Sequence, residues 1–415
     1  MSKRVMLPQR AWYGDIEVEI CFPNDWEVSE HGIPADELPV MQPEQLREAV
    51  QQPSGKPPLR ELARGKNEVA IIFDDMTRPT PVGEIVPYVL EELCEAGIKE
   101  ENIRFIAALG AHGAHGRMDF SKKLGEEVVR KYPVFNHNPY ENCIEIGTTS
   151  FGTRVEINKE VAECDLKIAV GGILPHPFMG FGGGGKMIMP GICSMDTIQA
   201  NHTVAIKNLI NSGLSPVDGL GSYEDNDTRR EVEEAADMVG LDFLVNALVN
   251  SRRRLVGVVA GHHIEAYHQG LLQAKKLYST ERPKDVEVVV ANANAKGSEA
   301  SIAMLFSSTC IKEEGGDIVL VVDTPPGQVT HYLLGSFGNN MGGRMWNPRS
   351  LLPDKVDRVI VLSSYPDATS GRWFGPSEKL CWAESWDQVL SLLEEKYGPG
   401  ARAAVLVDGT MQFYR

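Results

Sequence analysis

The sequence predicts an α/β protein of two domains, each a mostly parallel sheet covered by helices. Three observations carry this expectation. Short apolar runs of strand length alternate with stretches of helix length along most of the chain, which is the grammar of parallel sheets wrapped by helices. The 415 residues exceed what one hydrophobic core usually serves. Hydrophobic residues make up 42% of the chain, enough to fill two interiors.

The elements follow in order. Glu68 to Phe73 is an apolar run ending in a polar loop, and Val82 to Ala96 reads as the helix after it. Ile103 to Gly110 is the next strand, followed by a helix over Phe120 to Lys131. Leu166 to Gly172 is a third strand that runs into a glycine-rich loop, after which Ser194 caps a helix reaching about Ile210. Leu241 to Val249 and Arg254 to Gly261 are strands joined by a charged turn, and Ile264 to Tyr278 is a helix. The polar segment Ser279 to Asp285 marks the expected boundary, giving domains at 1–279 and 280–415. Beyond it, strands at Val286 to Ala293, Asp317 to Asp323, Arg358 to Ser364 and Ala403 to Asp408 alternate with helices at Glu299 to Lys312 and Trp386 to Tyr397. Ligands of such sheets bind past the carboxyl ends of the strands, so a cofactor is expected in the cleft between the domains.

Composition narrows the function. A net charge of −16 argues against nucleic acid as a partner, because phosphate binding needs a basic face. No signal peptide and no membrane-length apolar run is read, so a cytoplasmic protein that does not enter a membrane is expected. The seven cysteines are scattered without a CxxC pair, as suits reduced thiols and not a cysteine zinc site.

Three loops concentrate the chemistry, each directly after an expected strand. Asp74-Asp75-Met76-Thr77-Arg78-Pro79-Thr80-Pro81 offers two carboxylates, a hydroxyl and a guanidinium suited to clamping a carboxylate. Leu109 to Arg117 holds His112 and His115 among glycines, where an imidazole stays accessible. The segment from His176 to His202 carries Gly182 to Gly185 and then Lys186. Four successive glycines lose much backbone entropy on folding, a cost met where backbone must approach something closely. Gly180 to Lys186 fits the start of a phosphate-binding G-x-x-x-x-G-K-[ST] loop, but Met187 stands where the magnesium-binding hydroxyl belongs and prolines flank the segment. A nucleotide triphosphatase is therefore set aside. Lys186 brings an amine or a fixed charge, and the flanking imidazoles can act as base, acid or metal ligand.

Taken together, Asp75-x-Thr77-Arg78-Pro79, Gly110-x-His112, Gly147-Thr-Thr-Ser-Phe-Gly152 and the run from His176 to His202 resemble the nickel-pincer lactate racemase family over about the first 210 residues. The resemblance implies a racemase or epimerase that inverts the C2 centre of a small 2-hydroxy acid. Hydride would move to and from a nickel pyridinium-3,5-bisthiocarboxylic acid mononucleotide, through a 2-keto acid. Lys186 matches the lysine bonded to this nickel-pincer nucleotide, and His202 its nickel ligand. His112 and His176 match the two acid/base histidines. Arg78 with Asp75 would bind substrate, and Thr77, Gly184 and Gly185 would lie against the cofactor. Enzymes that assemble the cofactor would be transient partners.

The chain departs from the family at two places. Gly113 follows His112 where the family has arginine, with His115 and Arg117 further on. Asn294 to Ile302 carries no Gln-x-x-Lys pair for the substrate, although Lys296 or Glu299 could serve. Lactate and a larger or more polar acid, such as an aldonic acid or a dicarboxylate, therefore both stay open, with Trp346, Trp373 and Trp382 as candidate pocket walls. The other reading is an oxidoreductase-type or metal-dependent enzyme on the same fold with a different cofactor. No Rossmann G-x-G-x-x-G follows the first strand to support a nicotinamide version.

Overall fold

The computed structural model describes residues 3–211, 217–338, 340–347 and 351–414. The chain divides into two compact units, one of Leu38–Leu277 with His331–Leu333, the other of Met1–Glu37, Tyr278–Thr330 and Leu334–Arg415.

In the larger unit six strands form one sheet: β1 (Val69–Asp74), β2 (Ile103–Ala108), β3 (Val134–Asn136), β4 (Leu166–Gly172), β5 (Phe243–Val249) and β6 (Leu255–Gly261). Their spatial order is β6-β5-β4-β1-β2-β3. All neighbours run parallel except the hairpin β5–β6. β1 and β5 are buried at every position, as expected of strands covered on both faces. The helices that matter for the site are α1 (Val82–Glu95), α2 (Arg117–Leu124), α3 (Met195–Asn211), α4 (Asp227–Val239) and α5 (Glu265–Leu277). Ser194 caps α3 by accepting the Thr197 N–H at 3.2 Å, as its sequence position predicts.

The first strand of this sheet, β1, lies at its middle; the chain winds outward through β2 and β3 and returns to β4 on the other side of β1. That reversal puts the loops after β4, β1 and β2 side by side at the carboxyl edge, the place where open α/β sheets bind ligands. All three chemically rich loops of the sequence are these loops.

The smaller unit repeats the plan with β7 (Val288–Asn292), β8 (Gly316–Val321), β9 (Val356–Leu362), β10 (Leu380–Ala383) and β11 (Arg402–Leu406). Their order is β10-β9-β8-β7-β11, all parallel, and Glu27–His31 adds a sixth parallel strand beside β11.

The structure corrects the expected elements in two respects. The units part at Leu277/Tyr278, near the expected boundary, but residues up to Glu37 belong with the second unit, not with the first domain at 1–279. The cause is apolar burial: Val5, Leu7, Ile20, Phe22 and Trp26 share a core with Val288, Val319, Ile360 and Trp386. The helix expected over Phe120 to Lys131 is broken into Arg117–Leu124 and Glu126–Lys131 by Gly125, whose φ of 90° no helix allows. The motif Gly147 to Gly152 begins at the end of the strand Cys143–Thr148 and runs into the turn, over 149–153, that joins it to the antiparallel strand Arg154–Asn158.

Candidate active site

The loop after β1 orders itself through its own side chains. Asp74 Oδ2 accepts the Thr80 hydroxyl at 2.6 Å and the Gly172 N–H at 2.9 Å, tying the ends of β1 and β4 together. Its Oδ1 lies 2.7 Å from the ammonium of Lys123 on α2, a buried lysine that also donates to the Arg78 carbonyl. Asp75 turns the other way. Its Oδ1 accepts the Thr77 N–H at 3.0 Å and the Thr77 hydroxyl at 2.5 Å, while Oδ2 meets His112 Nδ1 at 2.5 Å. Arg78 donates to the Thr77 hydroxyl at 2.7 Å and stands half-buried.

Burial alone would raise the Asp75 carboxyl. His112, through charge and hydrogen bond, with His115 and Arg78 adding, holds it well below the usual carboxylate range. An ionised carboxylate on Nδ1 keeps the proton of neutral His112 there and leaves the lone pair on Nε2, the arrangement that makes an imidazole a directed base. His115 is committed differently. Its Nε2 accepts the Met76 N–H at 3.1 Å, and its pKa is lowered by burial, so it serves as a peg for the first loop. Of the two imidazoles the sequence left open, His112 is the one backed by a carboxylate.

The glycine loop is held from outside. Asn246 on β5 accepts the Gly184 N–H at 2.8 Å and donates to the Gly171 carbonyl at 3.1 Å. Arg229 on α4 donates to the Gly183 carbonyl at 3.0 Å, with its guanidinium 3.8 Å above the ring of Tyr267 on α5. A Cβ at Gly184, whose φ is +59°, would collide with Arg229 and Tyr267, and one at Gly185 would lie 2.7 Å from the Val232 carbonyl. Gly184 and Gly185 are thus required by the helices packed behind the loop.

His202, on α3, is buried, and its Nδ1 donates to the Ile198 carbonyl at 3.0 Å. Its pKa is pushed down to about 4 by burial, and the charges of Lys186 and His112 push the same way. The ring is therefore neutral at pH 7 with its lone pair on Nε2, the state in which histidine binds a metal. His176 packs on Phe178, ring centres 6.1 Å apart, and Phe178 packs on His202 at 5.8 Å. His176 Nδ1 accepts the Phe178 N–H at 3.2 Å, which places the proton of its neutral form on Nε2. Lys186 sits half-buried in the turn Gly184–Met187.

Arg78, His112, Lys186 and His202 thus gather at one edge, with His176 joined to them through Phe178. Lys296 and Glu299 fall in the smaller unit, where Lys296 is buried and its charge acts on Asp408. Trp346 and Trp373 line a cavity of about 330 Å³ in that unit together with Met304, Leu305 and Arg372, and Trp382 is not among its walls.

Several residues that shape the site went unread in the sequence, His331 and Arg229 among them. His331 clusters with the larger unit although it comes from beyond the boundary. Its ring meets that of His112 edge to face at 5.1 Å, and Tyr332 N–H donates to the Ala111 carbonyl at 2.8 Å. Burial pushes its pKa well down, with His112, His202 and Arg78 adding to the shift. Nothing in Gln328 to Leu334 sets this histidine apart as a sequence. Arg229 had a signal: Asn226 as cap, apolar Val232, Ala235, Ala236 and Val239 at helical spacing, and Gly240 as stop.

An imidazole backed by a buried carboxylate, beside a neutral second imidazole, a lysine and an arginine at such a sheet edge, is an arrangement suited to acid–base chemistry. Comparison with known proteins names the family. The lactate racemase N-terminal domain model matches residues 13–213. A lactate racemase of Thermoanaerobacterium thermosaccharolyticum is 31% identical over 335 residues, 79% of this chain and 74% of that one. One of Lactiplantibacillus plantarum is 30% identical over 290 residues, 68% of this chain and 66% of that one. The structure of the Thermoanaerobacterium thermosaccharolyticum lactate racemase apoprotein superposes with a TM-score of 0.74 at 23% identity, covering 100% of both chains. A Thermotoga maritima protein from a structural genomics programme gives 0.65 at 17% identity, covering 93% of this chain and 99% of that one. The chain belongs to the lactate racemase family and is an isomerase of the racemase type.

Proposed function

We propose that this enzyme inverts the C2 centre of a 2-hydroxy acid with a nickel-pincer nucleotide bonded to Lys186 and a nickel ion held by His202. The donor set fits that group. A buried imidazole that donates from Nδ1 to a carbonyl and keeps the Nε2 lone pair is the form of histidine that ligates Ni(II), and Lys186 lies close enough for its charge to act on that ring. When bound, the cofactor supplies a hydride acceptor and donor, so that the substrate passes through a 2-keto acid.

The chain's own residues do the rest. His112, with its Nδ1 proton on Asp75, takes the hydroxyl proton at Nε2 as hydride leaves C2. Asp75 stabilises the imidazolium that results. His176 is the complementary acid: as the imidazolium it would give a proton to the oxygen, and so return to neutral imidazole, when hydride returns on the other face. Arg78, braced by Thr77, supplies the cation for the substrate carboxylate. His331, packed on His112, helps fix the plane of that ring. The observation that carries the reading is the contact of 2.5 Å between His112 Nδ1 and Asp75 Oδ2.

The relatives are named lactate racemases, which makes lactate the first acid to try. The region 294–302 without a Gln-x-x-Lys pair supports extending the trial to aldonic acids and dicarboxylates. The test uses cofactor-loaded enzyme and single enantiomers deuterated at C2. Inversion with deuterium retained, lost in His112→Ala and His176→Ala, is the expected result. Washout of deuterium into water would overturn hydride transfer, and inversion of no acid in the panel would overturn the assignment.

A further inference from the structure

A second cluster of ligating side chains lies behind the glycine loop, independent of the reading above. Asp237 is on the last turn of α4, and His262 and His263 lead from β6 into α5. Each offers one ligand atom, and the three lie within 4.8 Å of one another. His263 is 2% exposed, yet among the described residues neither ring nitrogen has a hydrogen-bond partner. Burying a polar atom in that state is unfavourable, so an imidazole with both nitrogens unsatisfied calls for a partner. Its Nε2 lies 3.1 Å from Asp237 Oδ1, near but not aligned for a hydrogen bond. Two ligands each about 2.0–2.1 Å from one zinc ion at a tetrahedral angle stand about 3.3 Å apart. The His262 ring stacks on His263 at 4.6 Å and 26°. Asp237 and Glu233, one turn apart on α4, set a negative field at His263 against Lys56.

We propose that Asp237, His262 and His263 form a site for a divalent cation of the zinc type, distinct from His202. Two imidazoles and a carboxylate are a donor set for zinc, and the exposed side of Asp237 lets water complete the coordination. The site joins the end of α4 to the start of α5. Those helices also carry Arg229 and Tyr267, the bracket that holds the Gly183 carbonyl. A cation here stiffens the support of the cofactor loop from behind.

The experiment titrates zinc(II) into chelator-stripped full-length protein free of cofactor, against a chromophoric chelator, with His202→Ala as a parallel background. One zinc per chain is expected in both. Asp237→Asn, a change at a mostly exposed carboxylate that leaves the melting temperature without zinc unaltered, weakens binding by about 10- to 100-fold or more. His263→Gln does at least as much, and zinc raises the melting temperature of the parent but of neither variant. No zinc on the parent protein, zinc lost in His202→Ala, or unchanged binding in Asp237→Asn and His263→Gln would each overturn the proposal.

Discussion

Asp75-Met76-Thr77 and Asp408-Gly409-Thr410 are the same turn in two units, with opposite electrostatic outcomes. In both, the aspartate is buried and its Oδ1 accepts the threonine N–H at 3.0 Å and the threonine hydroxyl at 2.5 Å. They differ at Oδ2. Asp75 meets the His112 imidazole there, and Asp408 accepts the Ala295 N–H at 2.7 Å. The Asp75 carboxyl is held well below the usual range, whereas burial pushes Asp408 up to about 6 despite Thr410, Ala295 and Lys296. Dipoles satisfy the geometry of a carboxylate in both places, but only a charged partner at bonding distance offsets its desolvation.

The largest effect that tests this contrast is Asp75→Asn. An amide presents N–H to His112 Nδ1 and forces the proton to Nε2, so the turnover number should fall by about 10²- to 10⁴-fold with the protein folded. Activity within a factor of two of the parent would show that the carboxylate does not orient the base.

The two aspartates also bend the pH dependence of stability in opposite senses. Asp75, lowered in the folded state, stabilises above its unfolded pKa of about 3.9, and that contribution is lost as pH falls. Asp408, raised to about 6, contributes while protonated, and that contribution is lost as pH rises from about 3.9 through about 6. Two pKa units correspond to about 3 kcal/mol. Denaturant unfolding between pH 4 and 7 should contain this declining component, and Asp408→Asn should remove it whatever its effect on absolute stability. An unchanged profile in the variant would place the titration elsewhere.

The smallest effect isolates what the turns share. Thr77→Val and Thr410→Val each delete one hydroxyl donated to a buried aspartate, and each should cost about 1–2 kcal/mol of stability. Thr77→Val should also slow turnover, because the same hydroxyl accepts from Arg78. Equal costs would confirm one local motif, and a twofold disparity would show that the surroundings dominate.

The same division between local and tertiary causes explains what the sequence disclosed. Asp74, Asp75, Thr77, Arg78 and Thr80 bond to one another within seven positions, so that part of the loop after β1 could be read directly, whereas its ties to Gly172, His112, His115 and Lys123 could not. The loop after β2 and the segment from His176 to His202 were legible as motifs, and the strand alternation correctly announced parallel sheets. The reason for the glycines was not legible, because it lies with Asn246, Arg229 and Tyr267, which come some 45 to 85 positions later. The placement of the chain's start was hidden for the same cause: its strands earn burial only against Val288 and Trp386. His331 is the extreme case, a single imidazole brought beside His112 from more than two hundred residues away.

The most direct test of the account is the state of Lys186 in protein isolated from its own host. A peptide map and metal analysis should give added mass on the Lys186 peptide and one nickel per chain beyond any zinc, with both absent in Lys186→Ala. Fully active enzyme with an unmodified Lys186 peptide and no nickel would contradict it.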